Sequence, residues 1–118
     1  MNKAVVYVGV DVSKAYLDVA WAERSRRFAN NKSGLSALME WIQQSAVHLI
    51  CEASGGYERG LLEAAEQNAI KLSLVQANRV RQYARAAGIL AKTDEVARVL
   101  VRLGHVACRI VNANHSIM

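Results

Sequence analysis

The segment AVVYVGVD, residues 4–11, decides the fold, because seven apolar residues run without a break into one aspartate. Such a run is typical of a strand that is buried on both faces of a sheet. Asp11 could simply end this strand and start a turn with Ser13. An acid that abuts a buried strand lies near the core and needs a partner, however, so the sequence favours a functional role for Asp11.

The segments that follow indicate an α/β domain. The remaining strands and helices are marked by alternating apolar and polar residues, by apolar residues at helical spacing and by the Gly55-Gly56 turn. Three antiparallel strands followed by alternating helices and strands form a mixed sheet covered by helices, the arrangement of ribonuclease H-like domains. We predict strands at 4–10, 16–23, 26–30, 47–52 and 72–75, a helix at 33–44 capped by Ser33, a helix after the glycine turn, and two helices in the C-terminal third.

Two further acids stand where they could join Asp11. Glu52 closes the second buried strand, and Asp94 lies in AKTDEVARVL before the last helix. Carboxylates at the ends of neighbouring strands, joined by one from a later helix, can hold divalent ions for phosphodiester chemistry. Asp94 also has a structural interpretation, because Thr93 can cap the helix with Asp94 in its first turn. The hypothesis of a site therefore depends on the three acids together.

Positive charge is concentrated in the C-terminal third. The chain of 118 residues has the length of one domain and a net charge of +5, which favours a polyanionic partner such as nucleic acid. Residues 70–118 contain eight basic residues against two acids. Solvated helix faces and a phosphate-binding stripe are equally compatible with this charge. The residues that we predict to contact nucleic acid are Arg79, Arg81, Arg85, Lys92, Arg98 and Arg102.

Composition excludes several classes of protein. The 53% hydrophobic and 21% charged residues are ordinary for a globular domain and exclude intrinsic disorder. Two isolated cysteines, Cys51 and Cys108, do not form a disulfide framework or a zinc site. No segment reaches the roughly 18 apolar residues of a membrane span. We therefore expect a cytoplasmic protein.

Three separated segments carry a family resemblance. The segments VGVDVSKAYLDVA (8–20), CEASGGYE (51–58) and NRVRQYARAAGILAKTDEVARVL (78–100) resemble, in order and spacing, the N-terminal domain of the DEDD-type insertion-sequence transposases. These include the Piv DNA invertases and the guide-RNA-dependent recombinases. The resemblance implies a RuvC-like domain at 1–104 that acts on DNA and binds Mg²⁺, with Mn²⁺ as a substitute, through four acids. Asp11, Glu52 and Asp94 match the first three, and a guide RNA is an implied partner.

The chain departs from the family pattern in two places. The family's second helical Asp follows the third acid by three residues, but position 97 is Ala, as though one residue were lost after Asp94. Glu95 is not an obvious substitute, since successive helix residues are rotated by about 100°. The three matching acids therefore favour one bound ion over a two-ion arrangement. Nothing after Leu103 resembles the family's serine-bearing domain, so we interpret 105–118 as a tail and expect little recombinase activity from the chain alone.

Two alternatives remain open. A non-catalytic DNA-binding or dimerisation remnant would bind DNA in a salt-dependent manner that is indifferent to magnesium. A phosphotransferase of the actin and sugar-kinase type also begins with an apolar strand that ends in Asp, but Val12 and Lys14 stand where its phosphate loop needs glycine. The apolar tail residues Val106, Ile110 and Val111 predict contact with a second copy, and hence a homodimer.

Overall fold

The computed structural model describes residues 5–21, 23–42, 46–86 and 96–106. The described elements occur in the predicted order, so that three strands are followed by helices and strands in alternation. They are β1 (Val6–Val12), β2 (Tyr16–Trp21), β3 (Arg24–Ala29), α1 (Lys32–Trp41), β4 (Val47–Glu52), α2 (Arg59–Gln67), β5 (Lys71–Val75), α3 (Ala77–Ala86) and α4 (Val96–Val106).

The strands form one mixed sheet in the order β3-β2-β1-β4-β5. β2 pairs with β1 and with β3 in antiparallel fashion, while β1, β4 and β5 run parallel to one another. β1 is therefore the central strand and is covered on both faces, which explains why its sequence is apolar without alternation. The predicted α/β class and mixed sheet are confirmed.

The two faces of the sheet are covered by different helices. The first face packs against α1 and α2 and contains the larger hydrophobic cluster, which includes Val8, Val10, Leu49, Leu38 and Leu61. The second face packs against α3 and α4 and contains a smaller cluster formed by Tyr7, Ile50, Val75, Val80, Val99 and Leu100. Alternate residues of β1 thus contribute to two separate cores.

Helix α4 lies unusually close to the central strand. A Cβ atom on Gly9 would overlap the main-chain carbonyl of Ala97, and one on Gly104 would overlap the side chains of Ile50 and Tyr7. Glycine is required at position 9 because only a residue without a side chain lets the helix backbone approach this strand. The first turn of α4 is thereby fixed beside the carboxyl end of β1.

Some predicted boundaries are wrong by a few residues. β1 ends at Val12 rather than at residue 10, so Asp11 lies inside the strand. The cap of α1 is Asn31, whose side chain accepts a hydrogen bond of 2.8 Å from the Gly34 amide, and not Ser33. Asparagine and serine are both good caps, so the choice depends on where the preceding strand ends.

Two predictions about the chain as a whole can be followed only within the described ranges. No helix there has both the length and the apolar character to cross a bilayer. Residues 107–118 lie outside these ranges, and with them the predicted contacts of Ile110 and Val111. The division into a domain at 1–104 and a tail at 105–118 stays a prediction.

Candidate functional site

Four charged residues lie side by side on the second face, one on each of four adjacent strands. Asp11 is the register partner of Asp18, and Asp18 is the partner of Arg27. On the other side, the last β1–β4 pair is Val10 with Cys51, so the next residues, Asp11 and Glu52, are neighbours. Partners in adjacent strands point to the same face. We call Glu52, Asp11, Asp18 and Arg27 the charged row.

The sheet therefore brings together two of the three predicted site residues. Burial raises the pKa of Asp11, and the nearby Asp18 carboxylate raises it further. Burial likewise raises the pKa of Glu52, with an added contribution from Asp11, whereas Arg81 lowers it. Both carboxylates lose solvation and repel a like charge, an arrangement that favours a bound cation.

The third predicted acid, Asp94, and the predicted phosphate contact Lys92 lie outside the described residues. Within the described ranges, no group of three His, Cys, Asp or Glu side chains is close enough to hold a metal ion. The first two residues of α4, Val96 and Ala97, line an open groove of about 450 Å³ together with Asp11. At position 97 the resemblance implies a fourth acid, but the residue is Ala97, which is 2% exposed.

The predicted nucleic-acid contacts lie on the helices that cover the second face. Arg79, Arg81 and Arg85 are exposed on α3, and Arg102 is exposed on α4. Arg98 is half-buried. Arg81 is close enough to Glu52 to act on its carboxylate. The basic helices therefore flank the acidic pair, in agreement with the charge distribution along the sequence.

Asn30 was missed by sequence reasoning. Its Nδ2 donates to the carbonyl oxygens of Ser13, at 2.8 Å, and Tyr57, at 3.1 Å. One side chain thus ties the loop after β1 to the loop after β4, so the strand ends that carry Asp11 and Glu52 are held together. The partners are 17 and 27 residues away, so no local pattern could have revealed this contact.

The Gly55-Gly56 turn is held by Glu58. The Glu58 carboxylate accepts from the amides of Ser54, at 3.0 Å, and Gly56, at 3.2 Å, as well as from the Ser54 hydroxyl. These hydrogen bonds, that of the Ser54 side chain foremost, hold the pKa of Glu58 below its usual value. Both glycines have positive φ, 79° and 121°, which side-chain-bearing residues rarely adopt. The amides of Ser54 and Gly56 are therefore already paired with the chain's own carboxylate.

Two other titratable residues of β4 are structural. His48 is buried, and its Nε2 is 2.7 Å from the Ser73 hydroxyl. Burial raises the pKa of Cys51 to about 12, so the thiol stays protonated at neutral pH.

In the loop after β1, the Ser13 hydroxyl accepts from the Tyr16 amide at 3.2 Å and closes a tight hairpin. That loop does not have the form of a phosphate loop.

Comparison with known proteins identifies the family. The transposase family of DEDD type, IS110, matches residues 8–104 of the chain. The chain belongs to this transposase family. The family assignment confirms the resemblance of the three sequence segments. It supports a transposase domain rather than the phosphotransferase alternative.

Two curated relatives of the transposase chain are pilin gene-inverting proteins, from Moraxella lacunata and Moraxella bovis. Each is 33% identical over 104 residues, which cover 80% of the chain and 32% of the relative. The chain thus spans about a third of the length of these relatives.

Solved structures support the fold of the transposase domain. RuvC from Thermus thermophilus, in a complex with a Holliday junction substrate and in a second structure, matches at a TM-score of 0.63 with 9% and 11% identity. The match covers 89% of this chain and 96% of the RuvC chain. At this identity the likeness shows the fold alone, which is RuvC-like and hence ribonuclease H-like.

Proposed function

We propose that the chain is the metal-binding, DNA-associated domain of a transposase that acts in DNA recombination. The observation that carries this proposal is the adjacency of Asp11 and Glu52 on neighbouring parallel strands, each with its pKa raised by burial and by a like charge. Carboxylate oxygens are the ligands that Mg²⁺ and Mn²⁺ prefer. The donor set therefore fits such an ion.

Asp94 is the proposed third ligand. It precedes Val96 by two residues, and Val96 lines the same groove as Asp11. Two residues of chain span at most about 7 Å between Cα atoms, so Asp94 is close along the chain to a residue of the groove, and we propose that its carboxylate completes the site. Because Ala97 carries no ligand atom, we propose one ion rather than two.

Each part of the site then has a distinct task. A bound Mg²⁺ would stabilise the charge that develops on a DNA phosphate and would activate a hydroxyl nucleophile. Asp11 and Glu52 would hold such an ion on the sheet, and Arg81 moderates the negative charge beside Glu52. Arg79, Arg85, Arg98, Arg102 and Lys92 bind the phosphate backbone and contribute little sequence specificity.

DNA as the partner is supported by the relatives. The Moraxella proteins are named for inverting a pilin gene, and the Thermus RuvC is bound to a Holliday junction substrate. A guide RNA as the source of specificity, a homodimer and a cytoplasmic location remain predictions. Because the family's hydroxyl nucleophile is implied to come from a C-terminal serine domain, we propose that these 118 residues alone do not exchange strands.

The test is Mn²⁺ binding, measured by calorimetry or by electron paramagnetic resonance. Asp11→Asn and Asp94→Asn should each weaken binding at least roughly tenfold, since each removes a charged ligand (about 1.4 kcal/mol per factor of ten). Glu63→Gln, an exposed acid of α2 on the first face, is the matched control and should bind as the wild type does. Unchanged Mn²⁺ affinity of Asp11→Asn would overturn the site.

The second candidate, a non-catalytic DNA-binding remnant, is favoured by one observation. Ala97 replaces an acid and is buried in a close contact with Gly9, so the position has been accommodated as part of the core. The two candidates differ in their dependence on metal. DNA affinity that is equal with Mg²⁺ and with a chelator, in a wild type that binds no Mn²⁺, would select the remnant.

A further inference from the structure

β3 is a basic strand that lies outside the set of residues predicted to contact nucleic acid. It contains Arg24, Arg26 and Arg27 with no acid, and it lies at one edge of the described sheet. Its arginines do not share one face. Arg24 and Arg26 are register partners of Trp21 and Val19, and their guanidinium groups lie over the Trp21 and Phe28 rings.

Arg27 alone among these three belongs to the second face, because its register partner is Asp18. Its Nε donates to Asp18 Oδ1 at 2.8 Å and its Nη2 to Oδ2 at 3.2 Å. The guanidinium also lies 4.4 Å from the centre of the Tyr16 ring. Two parallel hydrogen bonds and an aromatic face fix its plane before any ligand arrives.

The guanidinium of Arg27 can still donate hydrogen bonds to a ligand that approaches from solvent. The side chain is 58% exposed, and Nη1 takes no part in the pair with Asp18. An exposed ion pair of this kind adds little to stability. A contribution to stability therefore does not explain why the guanidinium is so well oriented. Phosphate recognition does explain it, because arginine binds phosphate through its planar fork.

The groove beside Asp11 connects Arg27 to the acidic pair. Asp11, Asp18, Ser25 and Arg27 all line this one groove, together with Arg26. Arg27 is two strands from Asp11, which corresponds to about 10 Å at the usual strand spacing. One strand of a duplex carries a phosphate about every 3.4 Å of axis, and neighbouring phosphates lie farther apart than this rise, so the distance corresponds to no more than a few nucleotides.

We propose that Arg27, oriented by Asp18 and Tyr16, binds a phosphodiester of the nucleic-acid strand that reaches Asp11 and Glu52, a few nucleotides from the site of metal binding. The charged row then has a cation at each end, Arg27 beyond Asp18 and Arg81 beside Glu52. A polyanion that must approach two carboxylates is anchored on both sides of them. This proposal rests on the proposed function and adds a contact surface that lies on the sheet rather than on the helices.

The experiment compares Arg27→Ala with Arg24→Ala. Both variants remove one positive charge from the same strand, but Arg24 is on the first face and is the matched control. Binding is followed by fluorescence anisotropy with labelled duplex DNA, single-stranded DNA and single-stranded RNA, from about 50 to about 200 mM salt. A chelator is present throughout, so that binding is read without any contribution from a metal ion. A further variant, Arg27→Gln, removes the charge but keeps most of the stem.

We expect Arg27→Ala and Arg27→Gln to weaken binding roughly three- to tenfold and to reduce the salt slope by about one, while Arg24→Ala retains the wild-type slope. The nucleic acid with the largest difference identifies the strand that occupies the groove. Equal affinities of Arg27→Ala and Arg24→Ala would overturn the role of Arg27 and leave the proposed function intact. Absence of binding by the wild type to all three nucleic acids would overturn both.

Discussion

The two faces of the sheet differ in the size of their apolar cluster and in the charged residues that they carry. The first face is closed by α1 and α2 over a continuous cluster of fully buried aliphatic side chains such as Leu38, Leu49 and Leu61. The second face has a smaller cluster under α3 and α4, and beside it the charged row with its half-buried carboxylates. Burying acids side by side opposes stability, so the larger apolar cluster of the first face offsets a cost that arises on the second face.

The largest expected effect comes from opening a cavity in each face. Leu38 and Leu100 are both 0% exposed, but they belong to the larger and the smaller cluster respectively. Leucine-to-alanine changes in cores cost about 2–5 kcal/mol, and less where the surroundings can collapse. We expect Leu38→Ala to be near the upper end of this range and Leu100→Ala near the lower. Urea unfolding followed by circular dichroism measures both, and an equal or reversed cost would contradict the comparison.

A methyl group at Gly9 should weaken the second face selectively. Gly9→Ala collides with the Ala97 backbone, so α4 must shift at a cost of about 1–3 kcal/mol. Amide hydrogen exchange should become faster in α4 but remain slow in α1. The matched control is Gly60→Ala in α2, where the new Cβ meets the flexible end of Leu35 at 3.0 Å. If Gly9→Ala loosens α1 and α4 equally, the two faces do not unfold separately.

The smallest effect is a dependence on pH at His48. Burial, together with the charge of Lys71, lowers its pKa in the folded state. The unfolded chain therefore binds more protons, and stability should fall as pH drops below about 6.5 towards the folded pKa. Urea midpoints between about pH 8 and about pH 6 test this, with His48→Gln as the reference that lacks the titrating imidazole. His48→Gln should flatten the dependence, and a wild-type midpoint that rises on acidification would contradict it.

The order of the elements could be predicted because it depends on local patterns. The apolar run of β1 and the helical spacing in α1 and α4 are visible in short windows of sequence. The meeting of Asp11 with Glu52 could also be predicted, since parallel neighbouring strands bring their carboxyl ends to one edge. The position of Asp94 relative to these two stays a prediction.

The rest of the site depends on register and on long-range contacts. The Asp18 side chain is 42% exposed, and its pairing with Arg27 follows only from the β2–β3 register. A shift of one residue would have placed Arg27 on the other face. Asn30 joins loops that are distant in sequence. Such contacts follow from the completed fold rather than from any single segment.

The arginines of β3 have a consequence for the sheet itself. An edge strand exposes unpaired backbone groups, and a second chain can add to them to extend the sheet or start an aggregate. Arg24, Arg26 and Arg27 project from both faces of this edge, so a second copy aligned along it would bring like charges together. The same residues that would attract a polyanion thus disfavour the pairing of this edge with a second copy of the chain, and the described sheet ends at β3.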